Sequence, residues 1–417
     1  MDLVVEGRFL INGELKSTAV GIEDGRIATV GNIVRGSERI DLGEMIVLPG
    51  FVDPHVHFRD PGLTHKEDFG TGSMAALHAG VTCVLDMPNT SPPVTGTRQL
   101  SEKKRKIRGR SHVDYGLFVA MTPKVRAAEL APHVAGFKLF MASTTGNILL
   151  PDDAGIYAAM SAVAPTGKRV SVHAEDQYMI GGDRESSNAD HLRNRPSAAE
   201  ASAVSRLARY KGMPINVCHV TDPATLDKCR ALGFASEVTA HHLLFDAGAA
   251  GTEYKVNPPL RPDGTRAGLM AAVTAGKATM FGSDHAPHSA SEKSREYGDA
   301  PSGMPGVGVL VPIFMAMVKR GRFPLALLSR MGSASPAAAF SVRKGRIAVG
   351  YDADLAAFDP RKITAIDPDA LHGKSPCVPY AGMEALFPDA VFVRGEEQIM
   401  GGEFCGGAVG VDLFDGN

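Results

Sequence analysis

The 417-residue chain has little of several features that mark whole classes of protein. Its five cysteines (Cys83, Cys218, Cys229, Cys377 and Cys405) are odd in number, scattered, and never in a C-x-x-C pair. That excludes a disulfide framework, points to reduced thiols in the cytoplasm, and leaves none of the five reading as a metal ligand. Charge of one sign is missing too. A formal net charge of -2 offers no strongly basic surface, so neither nucleic acid nor an anionic membrane is an expected partner. No apolar run approaches the ~20 residues that span a bilayer. The start, Met1-Asp-Leu-Val-Val-Glu-Gly-Arg8, lacks the basic-then-apolar order of a signal peptide. What remains is a soluble globular protein whose 44% apolar content can fill one large barrel and a smaller attached domain.

Residues 1 to 50 alternate short apolar runs with turn signals such as Ile11-Asn-Gly13 and Asp24-Gly25, a hairpin pattern. Gly345–Gly350, Ala353–Phe358 and Ala390–Arg394 repeat that character near the other end. Residues 1–50 and 340–417 are therefore expected to complete one composite β-sandwich domain. Between them, apolar β-branched runs recur at Gly50–His57, Val81–Met87, Val113–Met121, Gly136–Met141, Arg169–His173, Ile215–His219, Ala235–Thr239 and Ala278–Ser283. Helical patterns alternate with these runs, as at Lys66–Ala79, Ser197–Tyr210 and Pro223–Leu232. Eight strands alternating with helices predict a (β/α)8 barrel over residues 51–339, with its active site where the strands end.

Polar residues gather at those ends. In Gly50-Phe-Val-Asp-Pro-His-Val-His-Phe-Arg-Asp-Pro-Gly62, His55 and His57 are two apart on a strand, so both imidazoles project to one face. His173 and His219 each terminate a further buried strand. Either alone is as readily a core histidine as a ligand; four imidazoles converging on one barrel mouth point to metal. Lys138, inside Gly-Phe-Lys-Leu-Phe-Met, is either half of a buried ion pair or an amine that reacts with carbon dioxide to give a bridging carbamate. Asp284, ending the eighth strand in Gly-Ser-Asp-His-Ala-Pro-His288, is a loop cap or a metal-ligating proton shuttle. Asp86 also falls at a strand end. Asn257 and Asn89 are turn residues or polar contacts. The basic run Lys103-Lys-Arg-Lys-Ile-Arg-Gly-Arg110 reads as a solvated outer helix face rather than a nucleic-acid patch. His241 and His242 read as supporting or packing residues, and Ala286 to about Gly306, rich in Ser, Gly and Pro, as a loop that closes over the site.

With these residues in view, the chain resembles the amidohydrolase superfamily and, within it, the dihydroorotases of the long bacterial and archaeal type. The likeness covers nearly all of the chain. It rests on D-P-H-V-H-F-R-D-P-G at the first barrel strand and G-S-D-H-A-P-H-x-x-x-x-K, Gly282 to Lys293, at the eighth. The resemblance implies two zinc ions, one on His55 and His57 and one on His173 and His219, bridged by carboxylated Lys138. It implies that Asp284 ligates zinc and serves as acid and base. Arg59, Asn89 and His288 would hold a substrate carboxylate beside His57, with Asn257 and the backbone of Ser302 and Gly303 on the ring. Many relatives bridge the metals with an aspartate after the fourth strand; here the matching stretch, Ala142-Ser-Thr-Thr-Gly146, has no carboxylate, which favours the lysine.

The implied reaction is reversible cyclisation of N-carbamoyl-L-aspartate to L-dihydroorotate in pyrimidine synthesis, by a monomer or homodimer. Hydantoinases and allantoinases share the metal residues but bind neutral ring substituents, so Arg59 and Asn89 argue against them. A non-catalytic homologue that scaffolds aspartate transcarbamoylase would have lost ligands, and here all six metal positions are present. Association with that enzyme remains a possible partnership for an active form.

Overall fold

The computed structural model describes residues 1–144 and 148–415, so Thr145 and Gly146 of the segment Ala142-Ser-Thr-Thr-Gly146 lie outside the described residues. The first four strands, β1 (Leu3–Ile11), β2 (Glu14–Glu23), β3 (Arg26–Gly31) and β4 (Glu38–Pro49), are joined by turns the sequence dictates. Asn12-Gly13 and Asp24-Gly25 all have positive φ, between 50° and 85°, the backbone of the tight turns that match strand twist. β1 pairs antiparallel with β2 and parallel with β4, its register shifting between Glu6 and Arg8.

The barrel follows in strict chain order: β5 (Phe51–Val56), β6 (Val81–Asp86), β7 (Asp114–Ala120), β8 (Gly136–Phe140), β9 (Val170–His173), β10 (Ile215–Val217), β11 (Ala235–Val238) and β12 (Met280–Phe281). All eight expected strands are present, and nearly every residue in them is buried, as parallel strands covered on both faces require. The ring closes where the His57 N–H donates to the His285 carbonyl at 2.8 Å and Asp53 accepts from the N–H groups of His55 and Ser283 at 3.1 and 3.0 Å. Helices between strands start and stop on side-chain signals. Asp222 caps the helix Pro223–Leu232 through the Ala224 N–H, proline occupies its first turn, and Gly233 ends it at φ 74°. No described helix is long and apolar enough to cross a membrane.

The last strands are β13 (Leu355–Phe358), β14 (Thr364–Ala365), β15 (Glu384–Ala385), β16 (Ala390–Val393), β17 (Glu396–Met400) and β18 (Glu403–Phe404). β14 and β15 form a small ribbon of their own. The other four join β1–β4 in a single eight-stranded sheet ordered β18-β17-β16-β13-β4-β1-β2-β3, with β13 antiparallel to β4 from Leu355 against Pro49 to Phe358 against Ile46. Leu3, Val5, Phe9, Val20, Val47, Leu355 and Phe392 pack into one core, so both ends of the chain build one sheet domain.

The basic run departs from expectation. Lys103 is fully buried against Asp86, Lys104 pairs with Asp412 at 2.8 Å, and Arg110 with Asp60 at 2.6 Å; Arg105, Lys106 and Arg108 alone face solvent. Lys103 lies three residues after Leu100 and four before Ile107, so the helix Thr97–Ile107 turns it inward with them. Asp86 is thereby committed to Lys103 and to the Phe58 N–H at 2.7 Å, not to the barrel mouth.

Candidate active site

β5 delivers the first two imidazoles, and their outer nitrogens are spoken for. His55 Nδ1–H donates to Glu237 Oε1 at 2.6 Å, and His57 Nδ1–H to Asn89 Oδ1 at 2.6 Å. Each Nε2 is left with a lone pair, and both converge on Asp284 Oδ1, 3.4 Å from His55 and 3.0 Å from His57. Three acceptors facing one another repel unless a cation lies among them. Burial holds His57 neutral, its pKa lowered to about 3. Burial works the same way on His55, but the carboxylates of Glu237 and Asp284 outweigh it and raise its pKa to about 10, so that either a second proton or a cation at Nε2 answers the negative charge around this ring. Asp284 is held well below the usual carboxylate range: burial opposes ionisation, and His55, His57 and His219 overcome it.

A second pair of imidazoles stands alongside. His173 Nε2–H donates to Glu175 Oε2 at 2.9 Å, which turns its Nδ1 lone pair toward His219 Nε2, 3.0 Å away. Arg195 backs Glu175 as an ion pair. The His219 ring centroid is 5.5 Å from that of His55, and Lys138 Nζ reaches to 3.4 Å from His55 Nε2. The six residues expected to bind metal thus lie together, Asp284 half-buried and the others buried; the imidazoles and Asp284 turn acceptor atoms inward, with the outer nitrogens of His55, His57 and His173 fixed by a carboxylate or amide, the usual orienting arrangement for metal-bound histidine. His55, His57 and Asp284 make a close-set trio of potential ligands.

His55, Cys218 and Glu237 form another such trio, a grouping the sequence did not suggest for any cysteine. All five cysteines are free. His242 behaves as a packing residue, bonded to Thr239 Oγ1 at 2.8 Å and to the Pro258 carbonyl at 2.9 Å. His241 is buried with neither ring nitrogen hydrogen-bonded.

Arg59, His219 and Asp284 hold φ values of 59°, 37° and 47°. Left-handed backbone in non-glycine residues costs on the order of 1–3 kcal/mol each and tends to collect at functional sites. Next to the cluster, Arg59 is fully enclosed, yet its Nε and Nη1 have no partner. Its Nη2 lies 3.4 Å from His288 Nε2, and that nitrogen is 3.1 Å from the Ser302 carbonyl. Gly303 donates its N–H to the Lys255 carbonyl at 2.8 Å; at φ 136° any side chain would strike the Ala286 carbonyl, so only glycine fits. Asn257 makes no hydrogen bond to these groups, and its Oδ1 is buried and unpartnered. The loop is tied down by Lys293, whose ammonium donates to the carbonyls of Thr252, Pro301 and Lys255 at 2.9, 2.9 and 3.4 Å.

The amidohydrolase family's sequence model matches residues 46–397, which takes in every barrel strand. The chain belongs to the amidohydrolase family. Within it, the chain is 35% identical to the dihydroorotase of Methanosarcina mazei over 422 residues, 93% of this chain and 92% of that one. It is 36% identical to the dihydroorotase of Methanothermobacter thermautotrophicus over 403 residues, 92% of this chain and 91% of its relative. Among solved structures, the L-hydantoinase (dihydropyrimidinase) from Arthrobacter aurescens superposes with a TM-score of 0.91 at 26% identity, covering 98% of both chains. In this amidohydrolase the residues that sequence reasoning passed over are Glu237, Cys218, Glu175 and Lys66. Glu237 carried a readable signal, an acidic residue inside the buried strand β11; the other three had none.

Proposed function

We propose that this amidohydrolase catalyses the reversible cyclisation of N-carbamoyl-L-aspartate to L-dihydroorotate, a step of pyrimidine synthesis. The observation that carries the reading is Arg59: a buried guanidinium with two unpartnered donor nitrogens, beside a cluster suited to metal. A ring amide bearing a carboxylate answers both features, whereas a neutral hydantoin leaves the guanidinium buried and unpaired.

His55, His57 and Asp284 would hold one divalent cation and His173 and His219 another, with Lys138, carboxylated to a carbamate, shared between them; the imidazole-rich donor set suits zinc. When bound, the cations make water nucleophilic at neutral pH and polarise the ring carbonyl. Arg59 and His288 clamp the substrate carboxylate, Asn89 supports it and also fixes His57, and Asn257 with the backbone at Ser302 and Gly303 orients the ring. Asp284 takes the proton of the attacking water on its carboxylate and passes it to the ring nitrogen as the C–N bond opens; in the cyclising direction it removes that proton from the ureido nitrogen.

The test is dihydroorotate hydrolysis measured together with metal content, with hydantoin and dihydrouracil as competitors. Turnover of dihydroorotate above both, with about two equivalents of metal per chain, is expected. Preferential turnover of the neutral rings would transfer the chain to a hydantoinase-type activity.

A further inference from the structure

Lys66, in the loop between β5 and the next helix, is buried and bears on the site. Its Nζ lies 3.3 Å from His288 Nδ1 in hydrogen-bonding geometry and 2.7 Å from Glu292 Oε1. An ammonium has only protons to give, so Nδ1 must present its lone pair. On the other side of the ring, Nε2 faces the Ser302 carbonyl, which can only accept, at 3.1 Å. Both contacts are satisfied by one form of the imidazole: neutral, with its proton on Nε2. Burial, then Arg59 and Lys66, lower the His288 pKa to about 2, which agrees with a neutral ring.

Arg59 Nη2 sits 3.4 Å from that Nε2. Two N–H donors cannot bond each other, so they converge on common space, and with Arg59 Nε and Nη1 they make a pocket edged by donors. A carboxylate is its complement. Glu292 threatens this arrangement, because its Oε2 is 3.4 Å from His288 Nδ1 and would accept a proton there. Lys66 stands between them, engaging both.

We propose that Lys66 is a positioning residue: by donating to His288 Nδ1 and occupying Glu292, it keeps the His288 proton on Nε2, where it can turn from the Ser302 carbonyl to the substrate carboxylate. This rests on the reading of Arg59 and His288 as the carboxylate clamp. Without Lys66, Glu292 is the partner left at Nδ1, the proton moves to that side, and Nε2 turns a lone pair toward an anion. The site is braced for this task. Ser289 and Glu292 cap each other, with Ser289 N–H donating to Glu292 Oε2 at 3.1 Å and Glu292 N–H to Ser289 Oγ at 3.3 Å.

The test uses Lys66→Met in the metal-loaded enzyme, with 15N NMR of the His288 ring and steady-state kinetics on dihydroorotate. The wild type should show the Nε2–H form. The variant should show the Nδ1–H form, a KM raised about tenfold or more, kcat within about threefold, and unchanged metal content. The charged groups facing His288 are Arg59, Lys66, Glu292 and Lys293. With Lys66 gone, only a doubly protonated imidazole still donates from Nε2. The variant's KM should therefore climb as pH rises, while the wild type's stays flat in the range set by this residue.

Lys66→Arg, which keeps a donor at Nδ1, should hold KM within about threefold of wild type. Glu292→Gln added to Lys66→Met, by removing the competing charge, should recover part of the lost affinity. An unshifted Nε2–H signal with unchanged KM overturns the proposal, as does an equal loss in the Arg and Met variants. If Lys66→Met does not fold, Lys66→Arg and Glu292→Gln alone carry the test, and loss of the Nε2–H form in either refutes it. Absence of dihydroorotate turnover in the wild type would instead refute the proposed function, while the NMR readout of the tautomer would still stand.

Discussion

Two clusters of buried charge sit at opposite ends of the same barrel. At the N-terminal ends of the strands, Lys344 is enclosed with Asp354, Asp114 and Asp352 at 2.7, 2.8 and 3.1 Å, and Arg394 pairs with Asp114 from the terminal sheet. At the C-terminal ends, Arg59 is just as enclosed but has two donors facing nothing. The pKa directions part accordingly. Burial disfavours charge on both, yet Asp354 and Asp114 raise Lys344, whereas Arg59 is lowered to about 10 despite Asp284. A buried cation whose partners belong to the chain ties elements together; one with unpartnered donors is a candidate for holding a ligand.

The comparison breaks most sharply at Lys138. Lys138→Ala should lose metal and activity together, a deficit of several kcal/mol in transition-state stabilisation. A short carboxylic acid such as acetate should restore part of both, since the missing piece is a bridging anion. Retention of both metals in the variant would show that the lysine does not bridge. At the other end, Lys344→Met leaves three carboxylates around an apolar side chain and should cost about 3–5 kcal/mol in denaturant unfolding, with kcat/KM of the folded fraction unchanged. A smaller loss than at an exposed lysine would erase the contrast. Arg59→Met should lower kcat/KM on dihydroorotate at least tenfold, the equivalent of roughly 1.5–3 kcal/mol for a charge-assisted contact, while metal content and melting temperature hold or rise. Lowered stability there would mean that the guanidinium serves the fold.

Much of this was legible from residues alone, for identifiable reasons. Buried parallel strands must be short apolar runs, so all eight could be counted, and strand periodicity put His55 and His57 on one face. Asn12-Gly13 announced its own turn. What escaped depends on separation and on facing. Glu237 meets His55 across 182 residues, and His288 meets Lys66 across 222, distances over which no local pattern speaks. Lys103 was misjudged because a run of like charge suggests solvent, while helix phase sends one member of it into the core against Asp86. Cys218 looked inert in sequence because its partners, Lys138 at 3.0 Å and Glu237, come from other strands of the barrel, β8 and β11.

The terminal sheet has a consequence for how the chain is made. β13 fills the place beside β4, so during synthesis the edge of β4, ending at Pro49, stays open until Leu355–Phe358 leaves the ribosome. At ordinary elongation rates that wait lasts roughly 15–60 s. An unpaired strand edge is a template for joining other chains, and the waiting stretch, Ile46–Pro49, is apolar; the exposed charges of β4, Glu38, Arg39, Asp41 and Glu44, lie further back along the strand. The nascent protein thus spends that interval with a short apolar selvage open where its last strands will be sewn in.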